Sequence, residues 1–167
     1  MKAEHWSVGR LVGQVADRMA VEPRMDIGRV GDLYLSRWTL LGRRIGRPGS
    51  RAVFLHRFMR SDHHDLHDHP WPFVSVVLAG GYWEHTPADL ANPAGPTKRR
   101  WYGPGRVLVR PAEWRHRVEL PPGREAWTVV IRGPKSRSWG FYCPAGYVDW
   151  RTYTGRLDAG NPGCGAE

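Results

Sequence analysis

His67-Asp68-His69-Pro70-Trp71-Pro72-Phe73-Val74-Ser75-Val76-Val77-Leu78-Ala79-Gly80-Gly81 is the stretch on which the reading of this chain turns. Two histidines at i and i+2 on an extended backbone point the same way, because strand side chains alternate faces with a period of two. Both imidazoles can then reach one metal ion. Phe73 to Ala79 is nearly continuous apolar sequence, the pattern of a strand buried on both faces, and Gly80-Gly81 follows it as a turn. Further on, Gly105, Pro111 and His116 follow at set distances, so that His116 can close the site from another strand.

His67 to Leu120 resembles the cupin superfamily, whose first motif runs G-x5-H-x-H-x4-E-x6-G and whose second runs G-x5-P-x-G-x2-H-x3-N. Here His67, His69 and Gly81 match the first, and Gly105, Pro111 and His116 the second. Ser61 replaces the opening Gly, Val74 stands in the Glu slot, Glu113 replaces a turn Gly, and Leu120 replaces the Asn. With the carboxylate gone, the resemblance implies a three-histidine site similar to that of the thiol dioxygenases, which hold iron; three-histidine sites elsewhere hold zinc. It also implies an all-β, double-stranded β-helix (the cupin jelly roll). Arg137 to Phe141 and Gly146 to Arg151 further resemble a set of small cupin-like proteins of bacteria and phages.

The 167 residues fit one domain, with 41% hydrophobic and 25% charged residues, a globular rather than a disordered balance. Nine Trp with 20 Gly and 14 Pro in short alternating segments favour strands and turns. The net charge of +9 comes almost wholly from arginine and is spread along the chain without a basic run. A solvated Arg-rich surface is the plain reading. Nucleic acid is disfavoured because no recognition module accompanies the charge, and an anionic small substrate gripped by an inward Arg is the functional alternative. Cys143 and Cys164 match no zinc or redox spacing, and Met1 to Arg10 lacks a signal-peptide core. No run is apolar enough to span a membrane. These features point to a cytoplasmic protein with reduced thiols.

Val8, Leu11, Val12, Val15 and Met19 recur at helical spacing, with Ser7 as cap and Pro23 as terminator. The division expected is an N-terminal helical arm over residues 1–25, a barrel over 26–155 and a loose tail over 156–167. Strands are expected at Leu33 to Leu41, Arg51 to Arg60, Phe73 to Ala79, Tyr82 to Thr86, Lys98 to Tyr102, Arg106 to Arg110, Trp114 to Leu120, Ala126 to Arg132 and Arg137 to Cys143. A homodimer through sheets or arms is compatible with this layout.

His67, His69 and His116 are the candidate ligands of one divalent metal, iron(II) first, with zinc, manganese or nickel as alternatives. His63 and His64 are solvated loop residues or spare ligands; Asp68 should face away from the ions' side; Glu84 and Glu113 are candidate substitute carboxylates. Arg57, Trp71 and Tyr82 are candidate substrate contacts, each with a structural reading beside it: edge of a buried face, barrel filling, and core. No catalytic residue is singled out. The function this favours is a mononuclear non-haem iron(II) dioxygenase acting on a small polar or anionic substrate. The alternatives are a non-catalytic sensor or ligand-binding module, and an isomerase or hydrolase using zinc, manganese or nickel as a Lewis acid.

Overall fold

The computed structural model describes residues 24–29, 32–42 and 49–165. The helix expected over Ser7 to Ala20 lies outside them. Among the described residues twelve strands and one helix follow in chain order: β1 Met25–Arg29, β2 Asp32–Gly42, β3 Ala52–Phe58, β4 Leu66–His67, β5 Phe73–Ala79, β6 Tyr82–Pro87, β7 Thr97–Tyr102, β8 Val107–Arg110, β9 Arg117–Glu119, β10 Ala126–Arg132, β11 Gly140–Cys143, β12 Gly146–Asp149 and α1 Trp150–Asp158. The expected strands are all present within a few residues of their bounds, except that the two flanking His116 and Trp139 are trimmed to β9 and β11.

The strands form two antiparallel layers. One is a continuous six-stranded sheet, β1-β2-β3-β10-β5-β8. The other consists of two three-stranded pieces, β12-β11-β4 and β7-β6-β9, joined by the isolated pairing of His67 with His116. Neighbours distant in sequence, such as β3 with β10 and β4 with β11, make this a jelly roll rather than a meander. The motif glycines serve its turns: Gly105 has φ 82°, and Gly81 has φ 146° with Trp101 so close that a Cβ would meet its ring at 2.5 Å.

Between the layers, Val77, Tyr82, Leu108, Val118, Leu120 and Ala126 form one buried cluster, and Ala52, Phe54 and Val130 with Phe73 form a second. The phase of the continuous sheet follows from these contacts: on the inner face of β3, Phe54 stacks on His56, which meets Phe58 edge-on. Arg57, one residue out of phase, lies on the outer face, where its guanidinium covers Trp127 and pairs with Glu125 at 2.7 Å. Val74 is also outward, in register with Val109 and Ile131, which are exposed. The expectation that β5 is covered on both faces therefore holds only for its inner side.

The C-terminus departs from expectation. Asp149 caps α1 by accepting from the Arg151 backbone N–H, and Trp150, Tyr153 and Leu157 give the helix one apolar face. Tyr153, fully buried, stacks on Phe141 with ring centroids 3.6 Å apart. The chain then turns back and brings Cys164 to Cys143, Cα atoms 5.4 Å apart, in a disulfide. Reduced thiols and a loose tail over residues 156–167 were the expectation, and both are corrected: the tail segment as far as Cys164 is bonded to the sheet. The unforeseen helix is the reason, since it converts a separation of 21 residues into a contact.

Candidate metal centre

β4 carries His67, and His69 lies two residues on, beyond the strand's end. His116 reaches them because the His67 N–H donates to the His116 carbonyl at 2.9 Å and the His116 N–H donates back at 3.0 Å. The seam between the two pieces of the split layer is thus also the frame of the site. One ring nitrogen from each histidine lies within 4.8 Å of the others. His69 Nε2 and His116 Nε2 are 2.8 Å apart, close to the roughly 3 Å separating two nitrogens that each lie about 2.1 Å from one ion at a right angle. All three rings are shielded by Phe73, Trp139 and Phe141, with the Phe73 centroid 4.7 Å from that of His69.

The donor set fits a divalent ion. Burial pushes His67 down to about 4, with the neighbouring His116 adding to the shift, and pushes His69 well below the usual imidazole range. Both are therefore neutral at ordinary pH, the form that binds metals. His67 Nδ1 is buried and makes no hydrogen bond among the described residues. Among the described residues no carboxylate belongs to the group.

Glu84, weighed from sequence as a replacement ligand, takes another role. Its Oε1 lies 2.8 Å from His116 Nδ1 and accepts from Trp114 Nε1 at 3.0 Å, while Oε2 accepts from Arg110 Nη2 at 2.6 Å. Burial alone would raise this carboxyl, but hydrogen bonds from His116 and Arg110 outweigh it and hold it at about 2. A permanent carboxylate on Nδ1 fixes the proton there and leaves Nε2 with a free lone pair aimed at the other histidines. Asp68, as expected, turns away: fully buried, it accepts from Arg137, from the Gly140 backbone N–H at 2.9 Å and from the Tyr142 hydroxyl at 2.9 Å. It anchors the peptide between the two ligands to β11.

The remaining candidates are dispersed. Glu113 is exposed in a turn, His64 is exposed beside Asp65, and His63 packs on Tyr153. Arg57 is on the outer face, as described. Trp71 lies under the Arg132 guanidinium, 5.0 Å from its ring centre, because Pro70 and Pro72 break the strand phase that Phe73 regains. Tyr82 is part of the apolar cluster. Sequence reasoning missed Arg37 and His56, which do face inward: Arg37 Nε donates to His56 Nε2 at 2.9 Å. The alternation Phe54-His56-Phe58 was the available signal.

No family model matches the sequence, and no curated protein matches it. Solved structures do match in fold. The polyketide cyclase RemF from Streptomyces resistomycificus is 17% identical, with 93% of each chain covered and a TM-score of 0.54. A cupin-2 domain protein from Rhodospirillum rubrum is 11% identical over 87% of this chain and 84% of its own, with a TM-score of 0.53. The DMSP lyase DddQ from Ruegeria pomeroyi is 16% identical over 72% and 60%, with a TM-score of 0.52. Against the iron(II) enzyme HppE the chain spans 57% of the neighbour's length. Its two-layered jelly roll and the structures matched at TM-scores of 0.52 to 0.54, a cupin-2 domain among them, show that the chain has the cupin fold.

Proposed function

We propose that this protein is a mononuclear non-haem metalloenzyme, with iron(II) the first choice of metal and dioxygenation of a small polar or anionic substrate the first choice of reaction. One observation carries the reading: three imidazoles converge on one point with no carboxylate among them in the described residues, and one is buttressed by an ionised glutamate. A bound divalent ion would supply Lewis acidity and, as iron, electron transfer to oxygen. The chain's own part is to hold three imidazoles by the His67–His116 backbone pairing, to orient His116 through its Nδ1 contact with the Glu84 carboxylate, and to exclude water with Phe73, Trp139 and Phe141. Zinc, manganese or nickel in the same ligands, serving hydrolysis or isomerisation, is the second reading, since three histidines suit zinc equally well.

The Cys143–Cys164 disulfide fits an oxidising environment better than the cytoplasm expected from sequence. No helix among the described residues is long and apolar enough to cross a membrane. The test of function is metal analysis of anaerobically purified protein together with an oxygen-uptake screen over thiols, amino acids and 2-oxo acids. Iron with substrate-triggered uptake supports the dioxygenase; zinc and no uptake supports the second reading.

A further inference from the structure

Across the barrel from the histidines, three polar side chains stand in one row of the continuous sheet: Arg37 on β2, His56 on β3 and Thr128 on β10, each in register with the next. All three share the inner face with Phe54, over whose ring Arg37 Cζ lies at 4.9 Å. Their bonding is incomplete. Among the described residues Arg37 makes one side-chain hydrogen bond, to His56, and no ion pair with an acid. Thr128 Oγ1, on a residue 1% exposed, has no hydrogen-bond partner among the described residues. Asp62, the carboxylate beside Tyr34 on this side, is occupied by the Tyr34 hydroxyl and the Val118 backbone N–H.

We propose that Arg37 and Thr128, with His56 between them, seat the oxyanion end of a small acid whose other end faces the histidine triad. A guanidinium inside a barrel without an acid is costly, and a carboxylate or phosphonate is the partner whose geometry matches its fork. His56 supports this as a neutral acceptor: burial and the adjacent Arg37 hold it well below its usual range, so it orients the guanidinium through Nε and leaves the terminal N–H groups for a ligand. The route to the metal centre is short in packing terms. Arg37 touches Phe54, Phe54 shares a cluster with Phe73, and Phe73 packs on His69. The backbones of packed layers stand about 10 Å apart, which limits the ligand to a few non-hydrogen atoms between its charged and reacting ends. This deepens the function proposed above and rests on it for the reacting end alone.

Calorimetric titration of glycolate, methylphosphonate and the neutral control ethylene glycol tests it, on cobalt(II)-loaded and on metal-free protein, with the cobalt visible spectrum as a second readout. The parent should bind at least one acid about tenfold or more tightly than ethylene glycol, and the stronger of the two tells carboxylate from phosphonate. Arg37→Gln should remove that preference at unchanged cobalt stoichiometry, Arg37→Lys should restore part of it, and Thr128→Val should weaken it several-fold. Arg57→Gln should bind as the parent does. Should Arg37→Gln lose its thermal unfolding transition, Arg37→Lys and Thr128→Val carry the comparison. Parent-like binding of acids in the folded Arg37 and Thr128 variants, an equal loss in Arg57→Gln, or no acid binding to the parent in either form overturns the proposal. A parent that binds acids through Arg37 but takes up no cobalt would leave this seat standing and overturn the metal centre instead.

Discussion

The two layers of the barrel are built differently, and the difference separates scaffold from chemistry. The continuous sheet joins six neighbouring strands in one ladder, with register shifts at Ile27/Gly28, Thr39/Leu41 and Trp127/Thr128, and its inner face runs across all six. The opposite layer breaks between β4 and β9 and is closed by the isolated pairing of His67 with His116, flanked by backbone hydrogen bonds from His69 to Ala112 and from Asp62 to Val118. The three candidate metal ligands sit at that break, where the chain leaves regular strand geometry and can aim His69 beside His67. A regular sheet supplies rigidity; an interrupted one supplies convergence. On either side of the interruption polar anchors hold the site, Asp68 to β11 within one piece and Glu84 to His116 within the other, with Arg110 of the continuous sheet bonded to Glu84, beside the apolar packing between the layers.

If the split layer depends on those anchors, removing one should cost more than a surface pair does. Glu84→Ala leaves Arg110 without its buried partner and His116 without its brace; we expect a loss of about 3–5 kcal/mol in chemical denaturation, while Glu84→Gln should fold and bind metal about 10–100-fold more weakly. A Glu84→Ala protein as stable as the parent would show that the seam does not need its buttress. The disulfide is the next test: Cys143→Ser should lower stability by about 3 kcal/mol, as expected for a closed loop of this size, and the loss should appear equally in the parent on reduction. Unchanged stability under reductant would detach α1 from the account.

Acid should act on the split layer through His67. Its folded value, about 4, lies below the unfolded imidazole value of 6.5, so between them the unfolded chain binds more protons and stability falls as pH falls. The contribution is complete above about pH 6.5, and about 2 kcal/mol of it is lost by pH 5 in metal-free protein. A bound ion should shift this loss to lower pH; identical pH profiles with and without metal would contradict His67 as a ligand. The smallest effect belongs to the outer face of the continuous sheet. Arg57→Ala removes an exposed pair with Glu125 and should change stability by less than about 1 kcal/mol, with metal content unaltered.

The two layers also differed in how far the sequence disclosed them. The clustering of the split layer's histidines was legible because their spacing follows the motif, and the motif glycines because their turns demand a backbone that other residues avoid. The inner face of the continuous sheet was not. On β3 both alternation sets are largely apolar, Val53-Leu55 and Phe54-His56-Phe58, so period two alone could not tell which looked inward, and Arg57 was placed one residue out of phase. Val74 fell out of phase for the same reason: spacing puts it in the carboxylate slot, while Phe73 occupies the position against His69. Glu84 lies 32 residues from His116, a distance over which only the tertiary fold could reveal the bond. The phase it shares with Tyr82 was the one local hint that it is buried. α1 was visible in Asp149 followed by Trp150, Tyr153 and Leu157, but strands on the preceding side masked the change of period.

X-ray absorption spectroscopy of the metal-loaded parent and of His67→Ala, His69→Ala and His116→Ala tests the central claim most directly. One ion per chain with three imidazole nitrogens at about 2.0–2.2 Å, no change in that shell in Glu84→Gln beyond weaker occupancy, and metal lost from each histidine variant is the result expected. A first shell with two imidazoles and an oxygen that disappears in Glu84→Gln, or full metal content in any of the three histidine variants, would contradict it.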